Sequence, residues 1–259
     1  GIFLKTCFGI KLIFDCRGLW VDERVNKGGW DLSRWLDRQQ YQIFKSIEKA
    51  IISRADKIIV LTEAVVDEIV RIGQRGAEDI VIIPCCADFQ HFTMHGEARK
   101  QEFRESLELQ KETLVIGYLG SIGPMYKFES YARLVLMASL QHPNICGLVV
   151  TRNIGEASSV LNTLVKKADR NIFKIVSAER EAVPNFINAF DIMVNFLTVS
   201  YARIATSPTR NAESFACGVP VICNQGIGDV DLHTRLLDSG YIVPNFFETD
   251  FQEAIKYES

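Results

Sequence analysis

The chain has 259 residues, of which 47% are apolar and 24% charged, and its formal net charge is −3. That is the composition of a globular chain of one or two domains, long enough to bury a sizeable core. It offers no basic footprint for nucleic acid and no apolar run of membrane-spanning length, and its seven cysteines show no C-x-x-C spacing and follow no secretory leader, so a reduced, cytoplasmic setting is expected.

The chain begins at Gly1 without a methionine and enters an apolar strand pattern at once, which reads as a fragment or trimmed start. A first strand is expected over Lys11–Phe14. It feeds Phe14-Asp15-Cys16-Arg17-Gly18-Leu19-Trp20-Val21-Asp22-Glu23-Arg24. Open α/β sheets bind ligands at the carboxyl ends of their strands. Asp15, Arg17 and Glu23 could position hydroxyl groups there; the plainer reading is a surface pair, Asp15–Arg17 or Glu23–Arg24. A helix is expected over Leu32–Arg54, a strand over Lys57–Leu61 and a helix over Glu63–Ile72, with Thr62 as its N-cap. A third strand, Asp79–Ile83, precedes Cys85-Cys86 and His91, which lack the four-ligand spacing of a zinc site, so no metal is expected. Polar residues then cluster over Gln90–Arg99, and strand signal is lost until Leu114. The boundary is placed there, giving domains over residues 1–93 and 94–259.

The second part alternates strands (Leu114–Leu119, Cys146–Thr151, Phe173–Val176, Asp191–Phe196, Val219–Cys223, Tyr241–Val243) with helices (Phe128–Gln141, Glu156–Ala168, Arg180–Ala189, Thr209–Cys217). Most of the strands are continuously apolar, as parallel strands covered on both faces are. The pattern predicts doubly wound α/β sheets with right-handed crossovers. After the first of these strands comes Gly117-Tyr118-Leu119-Gly120-Ser121-Ile122-Gly123, whose glycines would let backbone approach a pyrophosphate. The spacing is not the dinucleotide G-x-G-x-x-G. Arg203 is a second cation near the strand end before the last helix, or a solvated loop charge. Gly226 and Gly228 are turn residues, and Asp229 would cap the helix that follows.

The most informative segment is Ser207-Pro208-Thr209-Arg210-Asn211-Ala212-Glu213-Ser214-Phe215-Ala216-Cys217-Gly218-Val219-Pro220-Val221-Ile222. Ser207 reads as an N-cap and Pro208 as the first helical residue. The amides of Thr209 and Arg210 would then emerge at a helix start that favours anions, beside the planar fork of Arg210. Glu213 lies one turn further on the same face and could accept two hydrogen bonds from a diol. Gly218 ends the helix.

This segment resembles the donor-site signature of retaining glycosyltransferases of family 4, which have the GT-B fold. The resemblance implies two Rossmann-like domains, the first lacking its beginning, with residues 1–93 on the acceptor side and 94–259 holding a nucleoside diphosphate sugar. It implies that Glu213 binds the ribose and that Arg210 meets the phosphates, both as catalytic-site residues. Gly120, Ser121, Lys127, Arg203, Ser207, Pro208 and Thr209 complete the implied donor site. Ser121 stands where many members carry Arg, and Lys127 lies one place after the usual Lys. Ala205 occupies the position of a second glutamate eight residues before Glu213. Asp15, Arg17, Gly18 and Glu23 resemble an acceptor-side motif of bacterial members. The implied reaction is metal-independent transfer to an acceptor hydroxyl with retention, in surface polysaccharide or glycolipid synthesis. No cofactor is implied beyond the donor substrate. The implied acceptor is a saccharide or lipid-linked, which leaves open a peripheral position at the inner face of the membrane. A sugar-nucleotide epimerase on the same fold, or a non-catalytic nucleotide-sugar-binding protein, are the alternatives.

Overall fold

A computed structural model describes residues 1–256 as two packed units. The first holds Gly1–Cys85 together with Val199–Ser207 and Gly226–Val230; the second holds Cys86–Thr198, Pro208–Gln225 and the chain from Asp231 onward.

In the first unit the elements run α1 (Ile2–Phe8), β1 (Ile13–Cys16), α2 (Trp20–Asn26), α3 (Trp35–Arg54), β2 (Lys57–Val60), α4 (Val66–Gly73) and β3 (Ile80–Ile82). The strands form a parallel sheet in the order β1-β2-β3. Cys16, Ile52, Ile58, Val60 and Ile69 make its core, joined by Ala202 and Ala205 from a 3-10 turn over Tyr201–Ala205.

Strand β1 begins two residues later than its apolar pattern suggests, because the Leu12 N–H donates to the Asp56 carboxylate (2.8 Å) instead of entering the ladder. That bond, with Lys5 beside it, holds the Asp56 carboxyl down to about 2. Helix α3 starts at Trp35 rather than Leu32, since Asp31 accepts from the Ser33 N–H (3.0 Å) and hydroxyl (2.7 Å) and keeps those residues in a turn. Its polar stripe faces inward: Tyr41 donates to Asp22 (2.9 Å), and Lys45 bridges Asp22 and Glu48. Trp35, Leu36, Ile43 and Ile47 are exposed.

Two expected caps are replaced by long-range bonds. The Thr62 hydroxyl donates to the Ile204 carbonyl (2.6 Å) and does not cap α4, which starts at Val66. The Asp229 carboxylate accepts from the N–H groups of Glu63 (2.6 Å) and Ala64 (3.0 Å), so it serves this distant turn and not the helix next to it.

The second unit continues with α5 (Glu97–Ser106), β4 (Leu114–Leu119), α6 (Phe128–Ser139), β5 (Ile145–Val150), α7 (Ile154–Leu164), β6 (Phe173–Val176), α8 (Val183–Ala189), β7 (Ile192–Asn195), α9 (Thr209–Ala216), β8 (Val221–Asn224), α10 (Val230–Leu236), β9 (Gly240–Val243) and α11 (Glu248–Lys256). All six strands are parallel, in the order β6-β5-β4-β7-β8-β9. The chain winds outward from β4 to one edge, then returns to β7 and winds to the other. The β4–β7 junction is therefore the switch point at which such sheets bind ligands. Phe128, Tyr131, Leu134 and Val135 of α6 and Phe251 of α11 cover one buried face, with the Tyr131 hydroxyl bonded to the Ile116 carbonyl (2.9 Å). Each fully buried side chain of this size contributes roughly 1.5–3 kcal/mol.

The polar stretch before Leu114 is not featureless: it forms α5, held by buried Arg104, which donates to the Ala189 carbonyl (2.9 Å) and pairs with Asp191 (2.7 Å). Thiols of Cys16, Cys146 and Cys217 are pushed up to about 11, and that of Cys223 to about 12, chiefly by burial. They pack as small apolar groups.

Candidate functional site

Helix α9 is fixed before its charges come into play. Asn211, on its first turn, accepts from the Asn195 amide of β7 (2.6 Å), and Ser214 donates to the Val219 carbonyl ahead of β8 (3.0 Å). The helix ends at Gly218 with φ +72°: the Val219 N–H reaches the Ser214 carbonyl and the Gly218 N–H the Phe215 carbonyl, both at 3.0 Å. This is the paired left-handed ending that glycine favours.

At its start the structure corrects the expected cap. Pro208, not Ser207, occupies the N-cap position, and Thr209 is the first helical residue. Ser207 packs with the first unit, its hydroxyl accepting from the Cys85 N–H (3.2 Å). The amides of Thr209 and Arg210 have no acceptor among the described residues.

Arg210 and Glu213 line one cavity of about 290 Å³ in the second unit. Its other walls are the carboxyl end of β4 (Leu119, Gly120, Ser121), that of β5 (Val150, Thr151, Arg152), and Ala178, Arg180 and Val183 after β6. Gly120 has φ +134°, and a Cβ built there would lie 2.4 Å from the Arg210 guanidinium. The guanidinium thus lies directly against the Gly120 backbone, with its carbon 5.0 Å from the centre of the Tyr126 ring. It has no hydrogen bond or ion pair among the described residues. Glu213 is 8% exposed. Burial raises its carboxyl above the usual range, opposed by Arg180, Arg210 and His91. Its nearest cation is Arg180, at 3.7 Å.

Gly120, Ser121, Arg210 and Glu213 therefore come together, with Pro208 and Thr209 at the start of the same helix. Lys127 does not line the cavity; it precedes α6 with its ammonium 5.8 Å from the centre of the Phe246 ring. Arg203 is buried in the first unit, 3.4 Å from the Thr206 hydroxyl, so it is not a solvated loop charge. Ala205 is a core residue of that unit.

On the acceptor-side motif, Asp15 and Arg17 form an exposed pair at 3.3 Å. Glu23 pairs with Lys27 (2.7 Å), not Arg24, and its carboxylate oxygen lies 2.8 Å from where a Cβ on Gly18 would be. Arg24 instead stacks over Trp20 and Trp30.

Thr151, Arg152 and Arg180 were not singled out in the sequence. The available signal was their position just after apolar strands, at the edge where Gly120 also lies. Among the described residues no group of three or more His, Cys, Asp or Glu side chains could hold a metal ion, and no helix is long and apolar enough to cross a membrane.

No family model matches the chain. Over 212 residues it is 24% identical to TuaH of Bacillus subtilis (strain 168), assigned as a teichuronic acid biosynthesis glycosyltransferase, covering 82% of this chain and 50% of that protein. It superposes on WaaG, a glycosyltransferase involved in lipopolysaccharide biosynthesis, with a TM-score of 0.73 and 14% identity, over 99% of this chain and 70% of WaaG. It superposes on Anabaena Alr3699/HepE, in complex with UDP and glucose, with a TM-score of 0.67 and 15% identity, over 97% of this chain and 62% of that one. At these identities the structural likeness establishes the fold, GT-B with a small first sheet. The chain spans about half the length of the curated relative it matches.

Proposed function

We propose that this chain, a GT-B-fold relative of the retaining glycosyltransferases of family 4, binds a nucleoside diphosphate sugar in its second unit and serves transfer of that sugar to an acceptor hydroxyl. One observation carries the reading: Arg210 and Glu213, one turn apart on α9, face a single cavity at the carboxyl ends of β4 and β5, with Arg210 against Gly120. A cation and free amides at a helix start suit a diphosphate, and a partly buried carboxylate suits a ribose diol.

In the transfer, the bond between the sugar C1 and the β-phosphate oxygen breaks, and the electron pair leaves with the phosphate. Arg210 and the amides of Thr209 and Arg210 stabilise that charge, the largest task left to the protein when no nucleophile is used. The acceptor oxygen bonds to C1 on the face the phosphate leaves. Its proton passes to the departing phosphate, which retains the anomeric configuration. Glu213 orients the nucleotide. Work in surface polysaccharide synthesis is supported by the likeness to TuaH. Asp15, Arg17, Gly18 and Glu23 are the acceptor-side candidates in the first unit.

UDP is the first nucleotide to test, because HepE holds UDP and glucose. Calorimetric titration of the chain with UDP, GDP and ADP is expected to give binding by at least one, with the corresponding nucleoside weaker. Binding of none would end this reading. Incubation with UDP-glucose alone tests for the epimerase, which would alter the nucleotide sugar; donor binding without transfer when acceptor is added would point to a non-catalytic binding protein.

Gly120→Ala is expected to strain the loop after β4, because residue 120 has φ +134°, and also to push the mobile end of Arg210 aside, because a Cβ there would lie 2.4 Å from it. Moving that guanidinium should weaken UDP by about tenfold, the scale of one charge-assisted hydrogen bond. Unchanged affinity in the same titration would show that Arg210 need not sit against residue 120.

A further inference from the structure

The cation nearest Glu213 is not the one on its own helix. Arg180 comes from the turn after β6, and its Nη1 is 3.7 Å from Glu213 Oε1. Its placement is built rather than accidental. Its guanidinium carbon lies 5.7 Å from the centre of the ring of Phe92, which is itself buried, and its backbone carbonyl is 3.1 Å from His91 Nε2. The side chain is nonetheless 65% exposed and lines the same cavity as Arg210. Neither the i,i+3 spacing of Arg210 and Glu213 nor the reaction chemistry calls for it.

Resting on the donor-site reading above, we propose that Arg180 is a positioning residue for Glu213: it holds the carboxylate ionised and turned into the cavity, where the ribose diol would be bound. The physical need is plain. A carboxylate at this depth is penalised by lost hydration and drifts toward its protonated form, which accepts hydroxyl hydrogen bonds less well. A neutral Glu213 would present one O–H donor in place of an acceptor and would bind a diol less well. The charged and titratable groups facing it are Arg180 from the turn after β6, Arg210 from α9 and His91 from the segment before α5, with Arg180 the strongest of the three. Cys217, at the C-cap of α9, adds no charge: burial pushes its thiol up to about 11. Arg210 is the cation a diphosphate would engage. Arg180 is then the one left to keep Glu213 charged once the ligand is in place.

Arg180→Gln removes the charge and keeps the shape; Arg180→Lys restores the charge. Two readouts are followed from pH 3 to 8. The first is the carbon-13 shift of the Glu213 carboxyl in the empty protein. The second is affinity for UDP-glucose, whose phosphates carry no proton that titrates in that range. In Arg180→Gln the carboxyl midpoint should rise by roughly half a pH unit, the size expected for a pair with one exposed partner. The fall in UDP-glucose affinity on acidification should begin higher by the same amount, and Arg180→Lys should return both to the wild-type profile. In Glu213→Gln the affinity should be lower and level with pH. An unmoved carboxyl midpoint in Arg180→Gln, or a loss of affinity that is equal at every pH and not rescued by lysine, would overturn the proposal. A wild-type chain that binds no UDP-glucose at any pH would instead overturn the donor-site reading, while the carboxyl titration still judges Arg180.

Discussion

Replacing Arg210 with alanine is expected to weaken UDP by about 30-fold while leaving uridine within about twofold. The difference follows from where the side chain acts. Its guanidinium has no hydrogen bond or ion pair among the described residues, lies against Gly120 and near the Tyr126 ring, and stands beside the unbonded amides that open α9. On the proposed donor-site reading, a cation held there meets phosphate oxygens and not the nucleoside. Loss of one such charge-assisted contact costs roughly 1.5–3 kcal/mol, about 10- to 150-fold. Turnover should suffer more than affinity, because charge on the leaving phosphate grows as the C1–O bond breaks. Removing a comparable oxyanion donor lowers kcat by about 10²–10³. Release of UDP from UDP-glucose in the presence of acceptor measures this. Equal losses for UDP and uridine would move Arg210 away from the phosphates.

Glu213→Gln should give the complementary pattern. UDP and uridine should weaken together, by about tenfold each, because the group they share is the ribose. The same change should stabilise the empty protein. Burial raises the Glu213 carboxyl above its value in the unfolded chain, so the unfolded state ionises first as pH rises. Below the ordinary carboxyl range both states are protonated and the residue costs nothing. Above the raised value the cost is fully present. Glu213→Gln should therefore raise the melting temperature at pH 8, by about 2–4 °C for each kcal/mol of ionisation cost relieved, with the gain shrinking toward pH 4. A variant that binds uridine normally, or that melts lower at pH 8, would contradict this account of the carboxylate. Gain in stability with loss of binding is the signature of a residue kept for its ligand.

The nine strands among the described residues were legible as short apolar runs: β4, β5, β7 and β8 are buried on both faces, as parallel strands are, whereas β1 and β3 stand out by apolar residues that remain exposed, among them Ile13, Val81 and Ile82. Helix α5 was not, because Glu97-Ala98-Arg99-Lys100 gives no apolar stripe; its anchor is the buried guanidinium of Arg104. The caps misled for a related reason. Ser207, Thr62 and Asp229 each have the chemistry of a local cap, yet each meets a partner more than a hundred residues away. Local pattern reports what a side chain can do, while the fold decides which donor or acceptor reaches it first.

The candidate site divides the same way. Arg210 and Glu213 were legible because they share one helix face at fixed spacing. Arg180, Arg152 and Thr151 were not, since they join Gly120 only through the order β6-β5-β4 across the sheet. Lys127 was misplaced by one residue of spacing that the sequence could not weigh against its contact with Phe246. Sheet adjacency, and not motif, assembles that half of the cavity.

A crystal structure of this chain with UDP bound addresses the central claim most directly. The account predicts the β-phosphate within hydrogen-bond distance of the Arg210 guanidinium and the Thr209 and Arg210 amides, with both ribose hydroxyls on Glu213. UDP seated elsewhere in the second unit, or with its phosphates turned away from α9, would contradict it.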